Sequence, residues 1–258
     1  VNKESEIEKI TKKTTNYKEI SKILIPDTIL KKELTTLISR VHEEAEAIDN
    51  RFERNVIDPF AYIIESAIFN KKKHKDWKLS ELSRQVQKTF TNALGEFHQN
   101  LLCSLEDCVR PEAGADLINN KKKIVAEIKN KHNSINEGSK TAAFDKIKNE
   151  LEKKNRNGYK GYFVTVIPKN PKNYEKIFTT TKNKNSSAFR VADKRIISIN
   201  AELFYEKITD KKDMLKSIYQ RIPEIFLSID KKKYNNIADI EKEKYFNYYL
   251  LKAFKKSK

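Results

Sequence analysis

Asp116, Glu127 and Lys129 are the residues of this chain whose types and spacing best suit chemistry. They sit in two adjoining stretches, Gly-Ala-Asp-Leu-Ile-Asn-Asn at 114–120 and Lys-Ile-Val-Ala-Glu-Ile-Lys-Asn-Lys-His at 123–132. Two carboxylates are hard oxygen donors suited to Mg²⁺, an ion that keeps several waters and bridges to phosphate oxygens. Held there, the ion polarises a phosphate and acidifies a water, while a nearby ammonium orients that water or offsets the charge of the transition state. The set points to metal-assisted hydrolysis of a phosphodiester. The bare pattern is weak in a chain with 34% charged residues, because an exposed Glu-Lys pair on an edge strand and an Asp in a turn would also satisfy it.

The element that must position these residues is a β-hairpin. Two apolar runs, Ala115 to Ile118 and Ile124 to Ile128, flank the polar tetrad Asn120-Lys121-Lys122-Lys123, a spacing that predicts a hairpin with a four-residue loop. That loop places Asp116 across from Glu127, and the alternation of a strand puts Lys129 on the same face as Glu127. The other face carries Ala115, Leu117, Ile124, Ala126 and Ile128, which predicts a central, buried strand pair.

The charge distribution supports a polyanionic partner. Residues 1–120 hold 19 basic and 20 acidic side chains, whereas residues 121–258 hold 34 and 16, so the whole excess of +17 begins at the hairpin. Residues 121–200 alone hold 20 basic and 7 acidic side chains. Such a field attracts nucleic acid with salt-dependent affinity. A compositional bias toward lysine would be shared by both halves.

The 258 residues, 38% of them hydrophobic, suffice for a substantial core. No apolar run is long enough to span a membrane and no secretory leader is evident, so a soluble, intracellular protein is expected. Cys103 and Cys108, with His42, His74, His98 and His132 scattered, lack zinc-ligand spacing and read as reduced structural thiols.

Along the chain, helices are expected at 26–52, with Asp27-Thr28 at its start, from Asp58-Pro59 onward with Phe60, Ile63, Ile64, Ala67 and Ile68 on the apolar face, and at about 80–102 after a basic loop at 70–78. A first strand at 105–110, the hairpin, a helix at about 139–154 and a buried strand at 162–167 follow. Asn157-Gly158 and Pro168 punctuate them. Beyond lie a strand at 196–199, helices at 201–207 and 211–221, and a last helix rich in aromatics, from Tyr245 to Phe254.

This order, together with the acid pair, resembles the PD-(D/E)XK nuclease superfamily over roughly residues 80–199. The resemblance implies an α/β fold with a mixed sheet flanked by helices and preceded by an N-terminal helical region. It also implies Asp116 in the Asp position, Glu127 and Lys129 in the Glu-x-Lys positions, and the backbone carbonyl of Ile128 as a further metal ligand. Ala115 stands where the family name expects proline. Members often add an acid from the preceding helix, for which Glu96 is the candidate and Glu65 the second.

Three segments, Asn92 to Gln99, Glu127 to Asn133 and Phe204 to Thr209, are similar to motifs of the small type II restriction endonucleases that cut GGNCC or GGWCC. This implies a Mg²⁺-dependent homodimer cutting double-stranded DNA at a short GC-rich palindrome, with a cognate DNA methyltransferase as functional partner. The expected organisation is an N-terminal helical region at 1–79, a nuclease core at 80–230 with a recognition insertion at about 169–195, and a C-terminal helix at 231–258. DNA contacts are expected from Lys131, His132 and Asn133 past the catalytic strand, and from Lys182, Lys184, Asn185, Ser187 and Arg190 in the insertion. Arg190 is the first choice for a guanine. A structure-selective nuclease, or a non-catalytic basic nucleic-acid binding module, are the competing readings.

Overall fold

The structure, a computed structural model, describes residues 18–52, 56–71, 73–170, 172–181, 190–234 and 240–254. Among these the chain forms two compact units, one holding the residues up to Glu33 and from His98 onward, the other Leu34–Phe97.

The first unit is built on a six-stranded mixed sheet in the order β1-β2-β3-β4-β6-β5, with β1 Cys108–Val109, β2 Leu117–Asn119, β3 Ile124–Lys131, β4 Lys160–Ile167, β5 Glu175–Ile177 and β6 Ile196–Asn200. β1, β2 and β3 are antiparallel neighbours, β3, β4 and β6 run parallel, and β5 closes the edge antiparallel to β6. The hairpin pairs Leu117 with Ala126, Ile118 with Val125 and Asn119 with Ile124, the register expected from a four-residue loop at 120–123. Lys123 closes that loop in the left-handed conformation, with φ 54°, and the Asn119 side chain accepts the Lys122 N–H at 2.8 Å.

The parallel β3–β4 pair needs a crossover, and this is α5, Glu137–Leu151. Asn136 caps it by accepting the Ser139 N–H at 2.7 Å. Ala143, Phe144, Ile147 and Leu151 of this helix pack with Ile118, Val125, Phe163, Phe178 and Ile196 from the sheet and the segment following β5. Phe163 and Phe178 stack at 4.4 Å. On the other face Tyr162 meets Phe204 at 5.6 Å, from α6, Ala201–Thr209. With both faces covered, β3 and β4 read as apolar runs rather than as alternating strands.

The remaining helices are α1 Lys18–Lys22, α2 Asp27–Phe52, α3 Pro59–Ile68, α4 His74–Cys103, α7 Met214–Ile229 and α8 Ile240–Ala253. α1 is tied to α7 by buried polar groups. Arg221 donates to Ser21 Oγ at 2.8 Å, to the Ile25 carbonyl at 2.7 Å and to Asp27 at 2.6 Å.

Several expected boundaries move, and the first strand keeps only Cys108–Val109 of the expected 105–110. α4 starts at His74 rather than near Ser80, because Trp77 is buried and packs edge-on against Tyr62 at 4.9 Å and Phe52 at 6.3 Å, which holds an extra turn. α7 continues through Pro223 to Ile229, since Ile225 beyond it is buried and offsets the hydrogen bond that proline removes. The short edge strand β5 carries no periodic signal, and the apolar face of α3 stays largely exposed.

Gly161 in β4 marks the closest helix–sheet approach. A Cβ there would stand 2.1 Å from Cγ2 of Ile147 on α5. Gly161→Ala is therefore expected to force α5 off the sheet, lowering stability by about 1–3 kcal/mol or more, read as a fall in the urea midpoint with little change in slope.

Candidate active site

β2 is shorter than β3, so at its end the ladder stops while β3 continues, and Asp116 completes the edge. Its N–H donates to the Ala126 carbonyl at 2.9 Å, and its Oδ2 accepts the Ile128 N–H at 2.8 Å. The carboxylate thus replaces a missing strand partner, which fixes its direction. Gly114, at φ +99°, supplies the turn leading into this position; any side chain there would be strained, and a Cβ would lie 3.3 Å from the Glu150 carboxylate.

Glu127, mid-strand in β3, is only 1% exposed. Its Oε1 accepts from Lys129 Nζ at 2.9 Å and from Lys146 Nζ at 3.2 Å, while Oε2 is buried with no hydrogen-bond partner. A buried carboxylate with an orphaned oxygen is costly unless something charged completes it. The Asp116 carboxyl is pushed above its ordinary range, first by burial and then by repulsion from Glu127, against the Ile128 N–H and the two ammoniums that oppose the shift. Two neighbouring buried carboxylates, one carrying an oxygen with no hydrogen-bond partner, fit a divalent cation.

The structure thus brings Asp116, Glu127 and Lys129 together, with Ile128 between them. Lys146, on α5, is the member of the cluster that sequence reasoning missed. It lies at the border of the buried helix stripe, one turn from Ala143 and Glu150, and that border position was the available signal. Among the described residues no group of three His, Cys, Asp or Glu side chains is placed to hold an ion. Glu96 ion-pairs with Arg40 inside the second unit, and Glu65 accepts the Trp77 indole N–H at 3.1 Å.

Of the expected DNA contacts, Lys131 and Asn133 are exposed at the end of β3 and in the turn that follows, and His132 is partly buried between them. Arg190 is held by Asp145 of α5, with one of the two bonds at 3.2 Å, and lies over the Phe144 ring. Lys182, Lys184, Asn185 and Ser187 lie outside the described residues, as do the other residues of 182–189 and residue 171 of the expected insertion.

The remaining titratable candidates carry no chemistry here. Cys103 and Cys108 are free thiols, the first pushed up to about 11 by burial and the second also raised. His98 is buried, meets the Tyr219 hydroxyl at 3.0 Å and is pushed down to about 4 by burial, so it stays neutral. No described helix is long and apolar enough to cross a membrane.

Comparison with known proteins gives a consistent picture. The family model described as Eco47II restriction endonuclease matches residues 23–231. The chain is 33% identical to the type II restriction enzyme Eco47II of Escherichia coli, over 77% of this chain and 84% of that protein. It is 29% identical to the type II restriction enzyme Sau96I of Staphylococcus aureus, over 72% of each. No solved structure matches the chain significantly.

The raised Asp116 carboxyl has a consequence for stability. The folded chain holds this proton more tightly than the unfolded chain does, so the group's contribution is most favourable at low pH. It is lost as pH rises from the ordinary value of 3.8 through the folded one. Asp116→Asn, which keeps an acceptor for Ile128, is expected to raise the urea midpoint at neutral pH. The gain should shrink as pH falls through the carboxylate range, as measured by denaturation across pH.

Proposed function

The chain belongs to the Eco47II restriction endonuclease family, and we propose that it cleaves double-stranded DNA at a short GC-rich palindrome of the GGNCC or GGWCC type, with Asp116, Glu127 and Lys129 as its catalytic residues. The observation that carries this reading is the convergence of these three side chains at the end of the hairpin, with the Glu127 Oε2 left for a ligand.

On this reading Asp116, Glu127 and the Ile128 carbonyl hold Mg²⁺, which when bound polarises the scissile phosphate and acidifies a water. The chain's own groups do the rest. Asp116, locked by the Ile128 N–H, and Glu127, locked by the sheet and by Lys129, present their free oxygens in fixed directions, so little reorganisation is needed at the reacting phosphate. Lys129, 31% exposed in its side chain, reaches from the buried carboxylate toward solvent. There it orients the attacking water and offsets the growing negative charge.

Lys131, His132 and Asn133, where the chain leaves the catalytic strand, meet the DNA backbone. The base-reading contacts come from 169–195, where Lys182, Lys184, Asn185 and Ser187 are the candidates, and from Arg190 once it leaves Asp145. The excess of basic side chains between 121 and 200 supplies the sequence-independent attraction. The enzyme acts as a homodimer, since a twofold target calls for a twofold protein, in the bacterial cytoplasm beside a DNA methyltransferase that protects host sites. Glu96 is an additional metal ligand only if it leaves Arg40.

The test is incubation of long unmethylated duplex DNA with the purified protein in Mg²⁺ or EDTA, read on a gel and by end-sequencing. Discrete Mg²⁺-dependent fragments whose ends share one site are expected. Lys129→Ala should slow cleavage by roughly 10²–10³-fold while still retarding DNA. A smear would instead indicate a structure-selective or unspecific nuclease, and intact but retarded DNA a binding module.

A further inference from the structure

Two ammoniums compete for one oxygen at the candidate centre. Lys129 Nζ and Lys146 Nζ lie 2.9 and 3.2 Å from the same Glu127 Oε1. They arrive from different elements. Lys129 is two residues from Glu127 on the same strand and the same face, so its stem is fixed by the sheet. Lys146 projects from the border of α5 and is the more exposed, at 46% of its side chain against 31%. Its four-carbon stem is free to re-aim its head toward solvent.

The charge balance of the centre changes when a divalent cation arrives. Without it, two ammoniums offset two carboxylates. With it, the same carboxylates face two ammoniums and two further positive charges at close range, in surroundings where such repulsion is screened poorly. The ammonium with the better access to water is the one that leaves. Its new partner need not be protein, because a phosphodiester drawn to a cation held by Asp116 and Glu127 brings anionic oxygens to the same cluster.

We propose that Lys146 is a second functional lysine of this centre, which neutralises Glu127 in the metal-free enzyme and moves to a DNA phosphate beside the scissile bond when a divalent cation binds. This rests on the nuclease reading of Asp116 and Glu127. It makes Lys146 a binding residue whose contribution is conditional on the metal, unlike an ordinary surface lysine, which contacts phosphate whether or not metal is present.

The test is the salt dependence of binding to a short duplex carrying GGACC, measured by fluorescence anisotropy in EDTA and in Ca²⁺, a hard cation used so that binding is read without relying on cleavage. Each phosphate contact steepens the slope of log affinity against log salt by about 0.9. In EDTA, wild type and Lys146→Ala should share one slope. In Ca²⁺, the wild-type slope should exceed that of Lys146→Ala by about one contact, and Lys146→Arg should restore it.

Glu127→Ala removes the carboxylate that holds Lys146, so it should show the extra contact in EDTA, and a thermal melt of each variant confirms that it folds. Equal slopes for wild type and Lys146→Ala in Ca²⁺, or a difference of the same size in EDTA, would overturn the proposal. Cleavage by Glu127→Ala in Mg²⁺ separates the two possible failures. Lost cleavage with equal slopes refutes Lys146 alone, whereas retained cleavage refutes the centre on which it rests.

Discussion

Glu127 sits almost wholly out of water in the middle of a sheet, and the arrangement around it follows from the cost of keeping it charged there. A lone buried carboxylate would take up a proton or destabilise the fold by several kcal/mol. Lys129 from its own strand and Lys146 from the crossover helix meet one oxygen, and Asp116 stands close enough for each acid to feel the other. The sheet holds this cluster because β2 begins only at Leu117 and leaves the Ile128 N–H for the Asp116 side chain.

The covering layers serve the same end. The parallel β3–β4 pair requires a crossover helix, which packs tightly on the sheet at Gly161 and carries Lys146 to Glu127. Burial on both faces makes β3 rigid, so the oxygens of Asp116 and Glu127 keep their directions when a substrate arrives. Stability is lost at this site, through repulsion between carboxylates and an oxygen without a partner. The apolar packing of Phe144, Ile147, Phe163 and Phe178 offsets that loss.

Much of this was legible from residue order. The apolar runs either side of Asn120 to Lys123 carry both the hairpin and its register, because a four-residue loop between two short strands leaves little freedom. The loop length and period-2 alternation set Asp116, Glu127 and Lys129 on one face, and the apolar flanks, the charge distribution and the family resemblance singled them out. The elements that escaped are those decided by tertiary packing. β5 exists because β6 offers it an edge, α4 begins early because Trp77 finds aromatic neighbours, and α7 crosses Pro223 because Ile225 is buried. Lys146 escaped for a related reason, since its contact with Glu127 depends on how α5 docks, and its place at the border of the buried helix stripe hinted at that contact without fixing it. Arg190, read as a base contact, is engaged with Asp145 in the DNA-free chain, a partner that spacing could not reveal.

The central claim is that Asp116 and Glu127 together form a divalent-cation site that faces a DNA phosphate. Crystals of the protein with a duplex carrying GGACC, grown with Mn²⁺ under conditions that block turnover, would test it by anomalous diffraction. The account predicts an anomalous peak bridging the Asp116 and Glu127 carboxylates and the Ile128 carbonyl, in contact with a phosphate oxygen. DNA bound with that position empty, or with the peak on other side chains, would contradict it.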